Sequence, residues 1–159
     1  MSKIGIVSDT HDHMSNIAKI VEIFNREQVE FVIHCGDIVS PFAARHFEGL
    51  KARMVAVYGN NDGEHKGLFM TLEGNIFSEP YIFEYEGKKI CVAHHPYIVE
   101  KLKEKKLADI YLFGHTHIKM VEHSPLVINP GEGCGYVTGT ATVAILDMCT
   151  QSVEFRVVE

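Results

Sequence analysis

The sequence predicts an α/β fold: a single-domain, four-layer α-β-β-α sandwich over residues 1–159, with two mixed β-sheets inside and helices outside. Three observations carry this. Through the first half, short apolar runs alternate with helical patterns, the rhythm of right-handed β-α-β crossovers and a mostly parallel sheet. The second half changes to closely spaced strand-like runs separated by turn residues. Finally, five of the apolar runs end on metal-ligand residues, and strand ends of an α/β sheet gather in one crevice.

Residues 4–7 read as the first strand. Residues 16–26 place Ile17, Ile20, Val21 and Phe24 at helical spacing, with Ser15 as the N-cap. A second strand at 31–33 runs into Cys35-Gly36-Asp37. Pro41 suits a first helical position and opens a helix over 41–47. The third strand, 54–58, ends at Gly59-Asn60. Strands at 81–85 and 89–93 flank Glu86-Gly87-Lys88, a hairpin turn. A charged helix over 98–106 precedes a strand at 110–113. Residues 119–122, 126–128, 142–147 and 153–157 are strand-like and are expected to form an antiparallel sheet, with Thr150-Gln151 at the last hairpin turn. There is no internal repeat, linker or low-complexity tract.

A chain of 159 residues, 46% hydrophobic, suffices for one sizeable core. No stretch approaches the roughly 20 apolar residues of a membrane span. Met1-Ser2-Lys3 is followed by an apolar run of only 4–7, too short for a secretory leader, so a mature cytoplasmic protein is expected. The net charge of −6 argues against nucleic acid as a stable partner. It is compatible with phosphate substrates, because bound cations dominate a local field. Cys35, Cys91, Cys134 and Cys149 are scattered without a CxxC and are expected to be buried or semi-buried thiols. The ten histidines exceed ordinary usage and are the compositional trace of a metal site.

The candidate ligands are Asp9 and His11 in VSDTH, Asp37 in HCGD, Asn60 in YGNND, His94 in VAHH, and His115 and His117 in FGHTH. Two-residue spacing on extended backbone sends both side chains of a pair the same way. Gly36, Gly59 and Gly114 precede ligands and permit sharp turns and close backbone approach. A lone Asp or His at a strand end is usually a turn former. Seven of them at five strand ends are better explained by two neighbouring divalent ions. Carboxylate, amide and imidazole donors favour Mn²⁺, Fe²⁺, Co²⁺, Ni²⁺ or Zn²⁺ over Ca²⁺ or an iron–sulfur cluster.

Asp-x-His, Gly-Asp, Gly-Asn-x-Asp, a strand-ending His and Gly-His-x-His, in this order, resemble the calcineurin-like metallophosphoesterases, and the short chain resembles their small bacterial and archaeal phosphodiesterases. The motifs span Asp9 to His117, and Asn129-Pro130-Gly131 resembles a further family loop. The resemblance implies that Asp9, His11 and His117 bind one metal, that Asn60, His94 and His115 bind a second, and that Asp37 bridges them. It implies Mn²⁺ or Ni²⁺ first, with Fe²⁺, Co²⁺ or Zn²⁺ as alternatives. It further implies in-line attack of a metal-bridging hydroxide on a small phosphodiester, and a homodimer or homotetramer.

One position departs from the pattern. Many family members carry Gly-Asn-His-Asp/Glu, whose His protonates the leaving group; here Asn61 stands there. An amide donates a hydrogen bond but cannot deliver a proton. Either His95, the nearest candidate, substitutes as the acid, or the substrates have acidic leaving groups. Two other readings stand beside the phosphodiesterase. One is a phosphomonoesterase, which Asn61 disfavours. The other is a non-catalytic scaffold like the retromer subunit of this fold, which need not keep seven ligands.

The remaining polar residues have plainer expectations. His34 is a packed core histidine; His46, His65 and His123 are surface residues. Asp12 and His13 serve the loop or contact substrate. Lys101, Lys103, Lys105 and Lys106 form a solvated helix face. Cys134, in the glycine-rich loop 131–139, is read as an ordinary loop cysteine, with a place near the metals as the alternative, and Asp62 orients Asn61 or a ligand.

Overall fold

Period-two alternation sets the architecture, because the central strands are buried on both faces and need cover on both. Along β1 (Lys3–Val7), Ile4 and Ile6 enter one core cluster while Val7 enters another. The computed structural model describes residues 2–159; Met1, where the leader reading begins, lies outside the described residues. The other elements are α1 (Met14–Arg26), β2 (Phe31–His34), α2 (Pro41–Ala44), β3 (Arg53–Val57), α3 (His65–Thr71), β4 (Ile76–Phe77), β5 (Tyr81–Tyr85) and β6 (Lys88–Val92). They continue with α4 (Pro96–Glu104), β7 (Ile110–Leu112), β8 (Met120–Glu122), β9 (Leu126–Asn129), β10 (Thr142–Asp147) and β11 (Val153–Val157).

Two mixed sheets result. A six-stranded sheet has the order β11-β10-β1-β2-β3-β4, parallel from β1 to β4 and antiparallel at β1/β10 and β10/β11. A five-stranded sheet has the order β5-β6-β7-β9-β8, with parallel β6/β7 and β7/β9 pairs between antiparallel edges. Between the sheets lie Ile4, Ile6, Ile33, Ile90, Val92, Ile110, Leu112, Ile128 and Leu146. The opposite faces are covered by helices. Ile20, Ile23 and Phe24 of α1 meet Val7, Val32, Val143 and Ile145, while Val99 of α4 meets Cys91, Tyr111 and Val127. This is the expected sandwich of sheets flanked by helices.

Four local expectations need correction. The last four strands do not make a sheet of their own: β8 and β9 extend one sheet, and β10 and β11 cross to the other. The reason is burial, since Ala144 and Leu146 face the inner core while Val143 and Ile145 face α1. Helix α1 is capped by His13, whose Nδ1 accepts the Asn16 amide at 3.3 Å, and Ser15 instead bonds to that imidazole at 3.1 Å. The helix at 41–47 is a single α-turn capped by Ser40 that tightens into a 3₁₀ turn at Arg45–Gly49. Helix α4 starts earlier than expected, with Pro96 in its first turn. Two elements, α3 and β4, carry no readable pattern, because α3 buries only Leu68 and β4 has only two residues.

Cys35, Cys91 and Cys134 are buried, whereas Cys149 is exposed, contrary to expectation. Among the described residues, no helix is long and apolar enough to cross a membrane.

Candidate metal centre

The parallel β1-β2-β3 trio and the parallel β6-β7 pair end on the same side of the molecule, and each delivers one motif there. Backbone hydrogen bonds lace the loops together: Asp9 N–H to Gly36 O at 3.0 Å, His11 N–H to Asp37 O at 2.9 Å, and Gly114 N–H to His94 O at 3.1 Å. The His115 N–H donates across the sandwich to Asp9 Oδ2 at 3.0 Å. All seven candidate ligands therefore share one cleft.

The paired residues converge for a different reason than their spacing suggests. Asp9, His11, Asp37, His115 and His117 have φ of 51°, 45°, 62°, 66° and 62°, in the left-handed region rather than on extended backbone. Such conformations cost of order 1–3 kcal/mol each and persist only where the surroundings hold them. Two glycines supply the room. A Cβ on Gly59 would collide with the Asp37 carboxylate, and one on Gly114 with Ser8 Oγ and Asp9 Oδ2.

Two groups of donor atoms result. In one, Asp9 Oδ1 lies 3.3 Å from His117 Nε2, and the His11 and His117 rings are 5.5 Å apart. In the other, Asn60 Oδ1 lies 2.9 Å from His94 Nε2 and 3.0 Å from His115 Nδ1, and those two nitrogens are 3.3 Å apart. Between the groups, Asp37 Oδ2 is 3.7 Å from His11 Nε2 and 3.5 Å from His94 Nε2.

The chemistry of these contacts fits cations. His94 Nδ1 faces the Cys35 carbonyl at 2.8 Å and His117 Nδ1 faces the Glu132 carboxylate at 2.6 Å. Both partners only accept, so each Nδ1 carries the proton. In the neutral ring each Nε2 then presents a lone pair to another acceptor, Asn60 Oδ1 or Asp9 Oδ1. Among the described residues, buried Asp9 Oδ1 and His11 Nε2 find no hydrogen-bond partner. An unpaired buried acceptor is costly, and a bound cation removes that cost.

Electrostatics vary across the cleft. Burial raises the Asp9 carboxyl, against the Ser8 hydroxyl, which donates to Oδ2 at 2.5 Å. Burial also acts to raise Asp37, but His94, the Asn61 hydrogen bonds and His11 outweigh it and hold that carboxyl below its ordinary value. Burial, with His94 and His95 nearby, lowers His115 and favours its neutral, ligating form.

Asn61 commits its amide to Asp37, donating Nδ2–H to Oδ2 and its backbone N–H to Oδ1, both at 2.8 Å. His95 lies beside His115, with ring centroids 4.7 Å apart. Its Nδ1 bonds to Glu79 Oε1 at 2.5 Å, while Glu79 Oε2 accepts the His94 and His95 amides at 2.6 and 3.0 Å. Asp62 does not orient the Asn61 side chain. Its carboxylate accepts the backbone amides of Asp37, Ile38, Val39 and Gly59 at 2.6–2.8 Å, fixing the loop that carries Asp37.

Two supporting residues, Glu79 and Glu132, escape sequence reading. Glu79 sits alone in a loop, and nothing in the sequence marks it. Glu132 directly follows Asn129-Pro130-Gly131, a visible but unused signal. Asn129 of that segment braces the FGHTH loop, donating to Gly114 O at 3.1 Å and Thr116 Oγ1 at 2.9 Å. Cys134 comes within ligand range of His11 and His117. Its S–H donates to Glu132 at 3.3 Å, and burial, reinforced by that carboxylate, pushes the thiol up to about 12. A cleft of about 720 Å³ lies elsewhere, lined by residues that include Phe31, Met54 and Phe83 and by none of the seven candidate ligands.

Buried His34 straps two of the loops. Its Nδ1 accepts the Gly36 amide at 3.1 Å, so Nε2–H donates to Thr10 Oγ1 at 2.9 Å. Burial, against the pull of Asp37, lowers its pKa to about 3. Below the ordinary value of 6.5 the unfolded chain binds a proton that the folded protein refuses. Stability contributed by neutral His34 is thus complete above that pH and is lost as pH falls toward 3. The slope approaches about 1.4 kcal/mol per pH unit. Urea unfolding of chelated protein at neutral and mildly acid pH should show a larger acid loss for wild type than for His34→Gln. Equal losses would contradict this.

The chain matches the calcineurin-like phosphoesterase superfamily domain over residues 2–151. It is 48% identical over 162 residues to Phosphodiesterase MJ0936 of Methanocaldococcus jannaschii, covering 97% of this chain and 96% of that protein. Among solved structures it resembles an archaeal phosphodiesterase, with a TM-score of 0.92 and 46% identity over 98% of this chain and 99% of the other. Vps29 of Entamoeba histolytica shares the fold at a TM-score of 0.72 and 15% identity, over 98% of each chain. With the family match running from the first strand to the last hairpin turn, the chain belongs to the calcineurin-like phosphoesterase superfamily.

Proposed function

We propose that the protein is a phosphodiesterase that hydrolyses small phosphodiesters with two divalent ions, Mn²⁺ or Ni²⁺ foremost. Asp9, His11 and His117 hold one ion, Asn60, His94 and His115 hold the other, and Asp37 bridges them. The observation that carries this is the placement of Asp37 Oδ2, 3.7 Å from His11 Nε2 of one donor group and 3.5 Å from His94 Nε2 of the other. The near-full-length relationship to a protein named a phosphodiesterase supports the substrate class. When bound, the ions supply Lewis acidity and activation of water.

The chain's own residues do the rest. Asn61 fixes the orientation of the Asp37 carboxylate through two hydrogen bonds. Glu79 holds the proton of His95 on Nδ1 when that ring is neutral, and in the protonated ring Nε2–H is the one left to donate. His95 is therefore the candidate proton donor to the leaving oxygen, a role the Asn61 amide cannot fill.

The test is hydrolysis by chelated protein reconstituted with single metals. The panel holds an aryl phosphodiester, its monoester, and cyclic nucleotides and dinucleotides. Mn²⁺ should restore diester hydrolysis and a chelator should abolish it reversibly. Preference for the monoester would favour the phosphomonoesterase reading. Failure of every metal on every ester would favour an interaction scaffold.

A further inference from the structure

We propose that Glu132 is a positioning residue for the first metal site, setting the His117 tautomer and tying that ligand to the Tyr136–Thr138 loop. The inference rests on the two-metal reading above.

Glu132 is completely buried between β9 and β10. Its main chain is anchored on both sides: its carbonyl accepts the Thr142 amide at 2.9 Å, and the next amide, of Gly133, donates to Ser8 O at 2.8 Å. The side chain reaches in two directions. Oε2 accepts from His117 Nδ1 at 2.6 Å and from Cys134 Sγ at 3.3 Å. Oε1 accepts the Thr138 amide at 2.5 Å and the Thr138 hydroxyl at 2.6 Å, and the Val137 amide lies 3.1 Å from both oxygens. Every donor faces a carboxylate that itself has no proton to give. His117 Nδ1 therefore carries its hydrogen, and Nε2 presents a lone pair toward Asp9 Oδ1 at 3.3 Å.

The second site is built differently. There the His94 ring is oriented by a neutral carbonyl, Cys35 O, at 2.8 Å. A carboxylate partner raises the basicity of an imidazole ligand more than a neutral carbonyl does, and losing such a partner costs about 10–100-fold in metal affinity. Glu132 thus makes the two sites unequal, strengthening the one at Asp9, His11 and His117. The same carboxylate carries the loop whose Tyr136 ring lies 5.2 Å from His13 and 6.4 Å from His11. Seating of that loop and orientation of His117 are consequently linked.

The test is calorimetric titration of chelated wild-type protein, Glu132→Gln and Thr138→Val with Mn²⁺. A long-range ¹H–¹⁵N spectrum of metal-free wild type, recorded above neutral pH, assigns the His117 tautomer. We expect two sites in wild type, with one weakened about 10–100-fold in Glu132→Gln and the other unchanged. The His117 signal should be that of an Nδ1–H tautomer. Two unchanged sites in Glu132→Gln overturn the proposal while leaving the two-metal reading intact. Thr138→Val, which removes the hydroxyl bond to Glu132 Oε1 but leaves the His117 bond, should weaken the same site by less than Glu132→Gln does. Weakening as large as in Glu132→Gln would place the effect in the loop rather than in the His117 bond and overturn the proposal, and no effect would overturn the link to the loop. Wild type that binds no Mn²⁺ overturns the underlying reading and the proposal with it. Should Glu132→Gln not fold, the spectrum decides alone, since an Nε2–H tautomer at His117 is incompatible with the proposed role.

Discussion

Asp37→Ala is expected to lose at least one of the two ions and nearly all phosphodiesterase turnover. Asp37 Oδ2 lies between the two donor groups, and both carboxylate oxygens also anchor Asn61. Alanine removes the proposed bridge and leaves two like charges poorly screened from each other. Charge stabilisation by metal is worth several kcal/mol, so the loss should reach roughly 10³-fold or more. The fold should survive. The amides of residues 37–39 remain held by Asp62, and a Cβ at position 37 introduces no new volume. Metal content by mass spectrometry and turnover of the reconstituted variant check this. Two ions per chain with normal turnover would end the dinuclear assignment.

The second large effect concerns the leaving oxygen. If His95 supplies the proton, wild type should show a shallow dependence of rate on leaving-group pKa. His95→Ala should then lose about 10²–10⁴-fold on alkyl leaving groups and far less on activated aryl ones. Glu79→Gln should reproduce part of this slope, because it weakens the 2.5 Å bond that fixes the imidazole. A steep dependence in wild type that His95→Ala leaves unchanged would exclude His95 and leave substrates with acidic leaving groups as the explanation. Asn61→His distinguishes the roles further. It should not simply restore the family's usual acid, because it removes the amide hydrogen bond to the Asp37 carboxylate at 2.8 Å. A gain on alkyl esters without loss of metal would show that this hydrogen bond is dispensable.

Much of the molecule was legible from one dimension. Strands such as β1, β7 and β10 alternate between two buried faces, and that alternation is visible as short apolar runs. Parallel pairing then brings their carboxyl ends together, so the sequence alone determined the sandwich and the seven residues that enter the cleft. Their local backbone was not legible. The spacing of Asp9 with His11 and of His115 with His117 suggested extended chain, whereas all four adopt left-handed φ. A dense network of loop-to-loop hydrogen bonds overrides the intrinsic preference there. Elements with little periodic burial, α3 and β4, were equally silent.

The supporting residues were decided only in three dimensions. Glu79, fifteen positions before His94, and Glu132, fifteen positions after His117, meet their histidines across separate elements. Nothing in a local pattern encodes such a pairing. The assignment of the last four strands to two different sheets was also a tertiary outcome. Local propensity makes them strands, but only the competition for buried faces sends β10 to β1 and β9 to β7. Residue types and spacing therefore determined which side chains reach the cleft. Which proton each imidazole carries, and which carboxylate holds it there, depends on contacts between distant segments and exists only once the chain has packed.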